Sequence, residues 1–159
     1  MARCPRLLEL FSGTGSIGKT ASLLGFEVVS VDLVGSATVR GDITNLDLSL
    51  YGIFDWIHAS PPCTEYSIAK TRAPRDLDTA NSIAGHPRRI IDDQFKRHPA
   101  LAYTIENPAT GLLKTQPPVE GLEWVDVDYC CFGYSNRKAT RIWSNVDLSR
   151  LPRCSTDCQ

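Results

Sequence analysis

Short apolar runs recur along the chain, and each is closed by a glycine or a proline. Residues 6–11 (RLLELF) lead into a glycine-rich turn, residues 54–60 (FDWIHAS) stop at two prolines, and residues 101–107 (LAYTIEN) stop at another proline. Apolar runs of this length between turn residues are typical of buried β-strands. The pattern therefore predicts three core strands.

Helical spacing of apolar positions occurs between these strands. It predicts a helix over residues 17–24, which Gly25 ends. Residues 76–84 and 88–97 predict two further helical pieces, separated by Gly85-His86-Pro87 because proline disrupts a helix interior.

The remaining apolar segments predict four more strands. Residues 26–33 (FEVVSVDL) and 37–43 (ATVRGDI) follow the first helix. Residues 122–130 (LEWVDVDYC) alternate apolar and polar side chains, as a half-exposed strand does. Residues 139–145 (ATRIWSN) come after a turn at 132–138 and are predicted to pair with them antiparallel.

Strands that alternate with helices predict an α/β fold, here a doubly wound, mainly parallel Rossmann-like sheet with a C-terminal antiparallel hairpin. We expect one domain over residues 1–150 and a tail over residues 151–159. Ligands of such sheets bind beyond the carboxyl ends of the strands. Several polar or proline-bounded positions fall at those predicted ends: Asp32, Asp42, Pro61-Pro62-Cys63 and Glu106-Asn107.

Two nucleotide-binding motifs overlap in residues 11–20 (FSGTGSIGKT). The segment from Gly13 to Thr20 matches the P-loop of triphosphate-binding enzymes, and its three glycines also match the turn that binds dinucleotides and other adenosine cofactors. Asp32 ends the second predicted strand, where an acid accepts hydrogen bonds from ribose hydroxyls. This favours the adenosine alternative, while a P-loop and a purely structural turn stay open.

Composition limits the protein classes. The formal net charge of -1 gives no global basic footprint for nucleic acid, although local basic patches remain possible. No signal peptide or membrane span is predicted, so we expect an intracellular, reducing location, the cytoplasm of a bacterium or of a phage-infected host.

Six cysteines are present, and a zinc site built from Cys130, Cys131, Cys154 and Cys158 is disfavoured because no C-x2-C pair occurs. We therefore expect no metal.

The stretch SPPCTEYS places Cys63 directly after two prolines at a predicted strand end. A thiolate held there on a stiff turn is a strong nucleophile. Glu106 ends the next core strand, where a carboxylate is costly unless it is paired or functional. The two groups could attack and protonate the same flat ring, whereas an inert buried cysteine and a salt-bridged glutamate are the alternatives.

With these motifs in order, the sequence resembles the cytosine carbon-5 DNA methyltransferases. The resemblance extends over roughly residues 6–146 and depends on Phe11-x-Gly13-x-Gly15, Pro61-Pro62-Cys63, Glu106-Asn107 and the basic hairpin FGYSNRKATRIW. It implies the methyltransferase type of Rossmann-like fold.

The resemblance also implies a cofactor site and catalytic residues. S-adenosylmethionine would lie over Phe11, Gly13 and Gly15, next to Pro61, with its ribose on Asp32 and its adenine near Asp42 and Ile43. Cys63 would attack carbon 6 of cytosine, Glu106 would hold ring nitrogen 3 and the amino group, and Arg141 would grip the base oxygen. Substrate contacts are implied for Asn107, which would brace the Cys63 turn, and for Lys138 and Ser67.

DNA is the implied partner, with the cytosine flipped out of the helix or presented on a single strand. Residues 64–75 would form a mobile loop that closes over the base. The match departs from the family at Thr64, at Pro108 and in the register of the basic hairpin. We also expect no room within these 159 residues for the target-recognition domain and the last cofactor motif that typical members carry. A separate recognition subunit, a single-stranded DNA or RNA substrate, and a non-catalytic binding protein on the same fold therefore stay open.

Overall fold

A computed structural model describes residues 3–155. It contains a seven-stranded sheet in the order β3-β2-β1-β4-β5-β7-β6. The first five strands in that order are parallel, and β7 runs antiparallel to both β5 and β6. The strands are β1 Arg6–Leu10, β2 Glu27–Asp32, β3 Val39–Arg40, β4 Trp56–Ala59, β5 Ala102–Pro108, β6 Trp124–Asp128 and β7 Ala139–Ser144. The predicted fold class, with its C-terminal hairpin, is confirmed.

Two α-helices pack on this sheet, α1 Ser16–Leu23 and α2 Leu77–Arg97. The prediction of two helical pieces at 76–84 and 88–97 is wrong, because α2 continues through Pro87. Proline removes one backbone hydrogen bond from a helix interior, but a buried stripe can outweigh that loss. The stripe here includes Pro87 itself, together with Ala84, Ile91 and Gln94.

The two faces of the sheet differ in chemistry. The larger hydrophobic core joins α2 to alternate strand residues such as Leu8, Ile57 and Ile105. Side chains alternate between faces along a strand, so Glu9, His58 and Glu106 project toward the other face. That face carries α1 over β1 and β2, and the polar side chains near the strand ends form the walls of the site described below.

No helix within residues 3–155 is long and apolar enough to cross a membrane.

Candidate active site

Two adjoining cavities open at the carboxyl ends of the central parallel strands. The smaller, of about 310 Å3, is lined by Asp32, Asp42 and Ile43 among others. The larger, of about 620 Å3, is lined by the glycine turn, Glu9, His58, Glu106 and aromatic side chains of the β6–β7 region. Phe11 and Ser60 line both cavities. A ligand that fills both must pass these two residues.

The glycine turn after β1 has an unusual backbone. Gly13 and Gly15 adopt positive φ angles of 51° and 69°, which glycine tolerates without steric penalty. Phe11 has a φ of 57°, and it is the one non-glycine residue with positive φ between residues 3 and 155. Such a conformation costs on the order of 1–3 kcal/mol and is found where the surrounding structure enforces it, often next to ligands.

Asp32 connects the end of β2 to this turn. One carboxylate oxygen accepts the backbone N–H of Gly13 at 2.8 Å, and the other accepts that of Val34 at 3.1 Å. Asp42 accepts both the N–H and the hydroxyl of Thr44, which lowers the pKa of Asp42. Both carboxylates are therefore fixed as acceptors on the smaller cavity, which suits the hydroxyl and amino donors of an adenosine group.

A buried carboxylate explains the third glycine of the motif. Glu9 is 2% exposed, and its Oε2 has no hydrogen-bond partner among the described residues. A Cβ at Gly18 would lie 2.5 Å from that oxygen. Burial raises the pKa of Glu9, while the backbone amides of Gly18 and Ile17 lower it to a smaller extent.

These contacts argue against the P-loop alternative. A carboxylate already faces the first amides of α1, where a P-loop would bind phosphate, and a second anion there would be repelled. Lys19, the P-loop lysine of that alternative, instead donates to the carbonyl of Thr14 at 2.7 Å.

Cys63 lies on an exposed turn that is anchored on both sides. Before it, the carbonyl of Pro61 accepts the side-chain amide of Asn107 at 2.9 Å. After it, the backbone N–H of Tyr66 donates to the carbonyl of Cys63 at 3.0 Å, and the buried Tyr66 side chain donates to Asn81. The thiol thus reaches solvent while its backbone is fixed to β5 and α2.

The loop that follows is closed by its own polar groups. Lys70 pairs with Glu65, which also accepts the backbone N–H of Asp76 at the start of α2. Arg75 donates to the carbonyl of Ser67, and the Ser67 hydroxyl accepts the N–H of Ala69. Ser67 is therefore part of a local turn, and its expected contact with substrate stays a prediction.

Glu106 projects into the larger cavity, and its side chain is 15% exposed. Lys138 Nζ lies 3.6 Å from Glu106 Oε1, and the Tyr129 hydroxyl lies 3.4 Å from the same oxygen. Burial, with the charge of Glu106, raises the pKa of Tyr129 to about 12, so this phenol stays a donor. Lys138 also lies 4.8 Å above the Tyr129 ring.

Arg141, expected to grip the base beside Glu106, is held elsewhere. In the sheet register it is paired with Asn107 and Asp126, whereas Glu106 is paired with Ile142, so Arg141 and Glu106 project to opposite faces. Its guanidinium forms a bidentate ion pair with Asp126 at 2.7 and 2.9 Å and lies 3.5 Å above the Trp124 ring. Lys138, not Arg141, is the cation next to Glu106.

Sequence reasoning missed Glu9, His58 and Tyr129 as wall residues of the larger cavity. A glutamate in the middle of an apolar run and a histidine inside another were available signals, since buried polar groups in strands require partners or ligands. Tyr129 had no comparable signal, because the end of β6 could not be aligned with Glu106 without the sheet register.

Within residues 3–155, no group of three or more His, Cys, Asp or Glu side chains is arranged to hold a metal ion. Cys158 lies outside the described residues. The end of the described chain lies against β6, where buried Asp128 accepts the backbone N–H of Cys154 and pairs with Arg137 and Arg153.

Comparison with known proteins identifies the fold class. No protein-family model matches the chain, and no curated protein matches it. The fold is that of the S-adenosylmethionine-dependent methyltransferases. The chain aligns over 97% of its length with the Entamoeba histolytica methyltransferase EhMeth, at a TM-score of 0.63 and 13% identity, and spans 58% of that protein.

Two bacterial structures share the fold at similar identity. A TehB-like S-adenosylmethionine-dependent methyltransferase from Corynebacterium glutamicum aligns with 91% of this chain and 80% of its own, at a TM-score of 0.54 and 16% identity. The N-methyltransferase NodS from Bradyrhizobium japonicum, solved with S-adenosyl-L-homocysteine, aligns with 90% of this chain and 78% of its own, at a TM-score of 0.50 and 12% identity.

Proposed function

We propose that this chain is an S-adenosylmethionine-dependent methyltransferase that acts on carbon 5 of cytosine in DNA through a covalent adduct with Cys63. The observation that carries the proposal is the hydrogen bond from Asn107 to Pro61. It joins the turn bearing Cys63 to the strand end bearing Glu106, beside the glycine turn. The turn that carries Cys63 is thus held next to the strand end that carries Glu106, although Cys63 itself lines neither cavity.

The described residues fit the cofactor. Asp32 and Asp42 offer fixed acceptors for ribose and adenine donors, and Phe11 lines both cavities. Glu9, whose Oε2 has no hydrogen-bond partner among the described residues, lines the larger cavity together with Glu106, and no lysine or arginine is among the described residues that line it. That environment suits a cationic ligand, and when bound the cofactor supplies a methyl group carried on a positively charged sulfur.

In this proposal each side chain has one task. The Cys63 sulfur forms a bond to carbon 6, which pushes electrons toward carbon 5 and makes that carbon nucleophilic. Glu106 holds the proton at ring nitrogen 3 and accepts from the amino group, while Tyr129 and Lys138 fix its carboxyl group. After the methyl group is added, a base removes the carbon-5 proton, and the carbon–sulfur bond breaks to release Cys63 as a thiolate.

The substrate must reach Cys63 as an unstacked base, either flipped from a duplex or taken from a single strand. Exposed Arg72 lies in the loop after Cys63, next to Arg75, and supplies a local cation for a phosphate. Since the net charge is -1, binding to duplex DNA by this chain alone is expected to be weak and salt-sensitive. A separate recognition subunit would supply the missing phosphate contacts.

One observation favours a partner-dependent variant of this function. Phe132 and Tyr134 on the wall of the larger cavity are 50% and 65% exposed, and a partner protein could cover these two aromatic side chains. In this variant the chain binds cofactor alone and modifies or binds nucleic acid only within a complex.

A mechanism-based oligonucleotide tests the proposal. With 5-fluorocytosine the fluorine replaces the hydrogen that must leave carbon 5, so the bond between sulfur and carbon 6 persists. We expect a complex with labelled methyl donor and oligonucleotide that survives denaturation. It should be lost in Cys63→Ser and kept in Cys4→Ser, the matched change at another exposed cysteine.

An adduct that persists in Cys63→Ser would contradict the nucleophile. Cofactor binding without any adduct on single-stranded or duplex oligonucleotides would favour the partner-dependent variant.

A further inference from the structure

A chain of four side chains runs across the sheet beneath the junction of the two cavities. Trp56 Nε1 lies 2.9 Å from the Thr104 hydroxyl, and that hydroxyl lies 2.8 Å from His58 Nδ1. His58 Nε2 lies 3.0 Å from the Ser60 hydroxyl. His58 is 7% exposed, and no role in the proposed reaction has been assigned to it or to Ser60.

The direction of every hydrogen bond in this chain follows from the donors available. Trp56 Nε1 can only donate, so the Thr104 oxygen accepts from it. The described residues offer the Thr104 hydroxyl one other side-chain partner, so its hydrogen is donated to His58 Nδ1. Nδ1 is then the acceptor of a neutral imidazole, and Nε2 carries the proton.

The final link leaves one hydrogen without a protein acceptor. His58 Nε2–H donates to the Ser60 oxygen, so the Ser60 hydroxyl hydrogen must point away from His58. Among the described residues no acceptor is found for it, and Ser60 lines both cavities. The hydrogen is therefore presented where a ligand filling both cavities passes.

Resting on the proposed function, we infer that Ser60 is a cofactor-contacting hydrogen-bond donor, oriented by the Trp56–Thr104–His58 chain toward an oxygen of the sugar or of the amino-acid carboxylate of the bound cofactor. In the proposed function the cofactor would fill both cavities, whereas the cytosine base would lie beside Glu106 in the larger cavity. His58 and Thr104 act as positioning residues.

The same geometry makes a proton-accepting role for His58 the weaker alternative. Its Nδ1 is occupied by Thr104, and its Nε2 already bears a proton. Burial lowers the pKa of His58 to about 4, so the imidazole is a poor base at neutral pH. Every hydrogen bond of this chain is therefore donated in the same direction, from Trp56 toward Ser60.

Two measurements test this inference. Titration calorimetry with S-adenosylhomocysteine should give about ten-fold weaker binding for Ser60→Ala than for wild type, the loss expected for one hydrogen bond. Ser22→Ala, an exposed serine on α1, should bind as wild type does. Thr104→Val should weaken binding to a similar extent although Thr104 does not line either cavity, and Thr104→Ser, which restores the hydroxyl, should recover it.

The second measurement needs no ligand. The chain has three histidines, so nitrogen-15 spectra of histidine-labelled protein resolve each ring. At pH 7 we expect His58 as the Nε2–H tautomer in wild type and in Thr104→Ser, and a changed tautomer in Thr104→Val. An Nδ1–H tautomer in wild type would overturn the inference directly.

The outcomes separate this inference from the proposed function. If wild type binds S-adenosylhomocysteine and Ser60→Ala binds it equally well, Ser60 is not a cofactor donor. If Ser60→Ala changes only the KM for the oligonucleotide, the partner is the base and the inference is overturned. If wild type does not bind S-adenosylhomocysteine at all, the proposed cofactor is wrong, and Ser60 loses its assigned partner with it.

Discussion

The side-chain amide of Asn107 donates to the backbone carbonyl of Pro61 at 2.9 Å, which ties the end of β5 to the turn that carries Cys63. Asn107 is 1% exposed, and its Oδ1 has no partner among residues 3–155. The amide therefore has a single directed bond in a buried position. Its removal should release the turn and leave the Pro61 carbonyl unpaired.

We predict that Asn107→Ala lowers the free energy of unfolding by about 1–3 kcal/mol and slows adduct formation with 5-fluorocytosine at least about ten-fold. Urea unfolding and single-turnover gel assays measure the two effects. Asn145→Ala is the control, since the side-chain amide of Asn145 likewise bonds to backbone, in this case to two groups, the N–H of Tyr103 and the carbonyl of Leu101, away from the crevice. It should lose stability and keep its adduct rate, and equal slowing in both variants would remove any special role for Asn107.

A second prediction concerns the crowding at Gly18. A Cβ there would lie 2.5 Å from Glu9 Oε2 and 3.0 Å from Val28 Cγ1. We therefore expect Gly18→Ala to destabilise the fold by about 1–3 kcal/mol, despite the higher helix propensity of alanine. Adding Glu9→Ala should recover part of this loss, because the nearest clash is gone.

Gly85→Ala supplies the contrast for that measurement. Gly85 lies inside α2, and an added Cβ meets no atom within 4 Å. Alanine should therefore stabilise this helix by about 0.5–1 kcal/mol. A Gly18→Ala protein as stable as wild type would show that Glu9 is not packed against α1 as described.

Much of this architecture could be predicted from the sequence, because the core strands are short apolar runs with glycine or proline at their ends. The carboxyl ends of parallel strands meet at one edge, so Asp32, Asp42 and Glu106 could be assigned to one crevice from their positions alone. The continuous helix α2 could not, since Pro87 suggests a break and only tertiary burial of that proline shows otherwise.

The sheet register explains the other differences between the predicted and the observed site. Whether Arg141 or Lys138 reaches Glu106 depends on which β7 residue is opposite Glu106, and a shift of one residue reverses the face. The paired residue is Ile142, which no local pattern specifies. The polar side chains of Glu9 and His58 were visible in the sequence, but their adjacency across β1 and β4 follows only from the parallel register.

A third prediction uses the pH dependence of stability. Burial lowers the pKa of His58 from 6.5 to about 4, so below pH 6.5 the unfolded chain takes up a proton that the folded chain does not. Stability should fall as pH decreases from 6.5 to about 4, by at most about 3 kcal/mol for this group. Above pH 6.5 His58 is neutral in both states and contributes no pH dependence.

His58→Gln should flatten the stability profile in that window. Glu9, which lies opposite His58 in the sheet register, has the opposite effect on the pH dependence of stability. Its pKa is raised in the folded state, so as the pH falls the folded chain binds this proton before the unfolded chain does. Glu9 is present in both the wild-type protein and His58→Gln, so the difference between their two stability profiles isolates the histidine. Identical profiles between pH 4 and 6.5 would contradict the buried, neutral imidazole.

The last prediction separates the two cations of the basic hairpin. Lys138 is half exposed and lies 3.6 Å from Glu106, so Lys138→Met should leave the free energy of unfolding within about 0.5 kcal/mol of wild type. Loss of the cation should slow adduct formation about ten-fold, since Glu106 then lacks one of its two fixing contacts.

Arg141→Lys should affect stability and leave the adduct rate unchanged. It breaks a bidentate pair with Asp126 and the stack on Trp124, and should destabilise the protein by about 1–2 kcal/mol. Adduct rates, corrected for the folded fraction, should stay at the wild-type value in Arg141→Lys. A large rate loss in Arg141→Lys with unchanged stability would return Arg141 to the active site and require a β7 register one residue away from the one described.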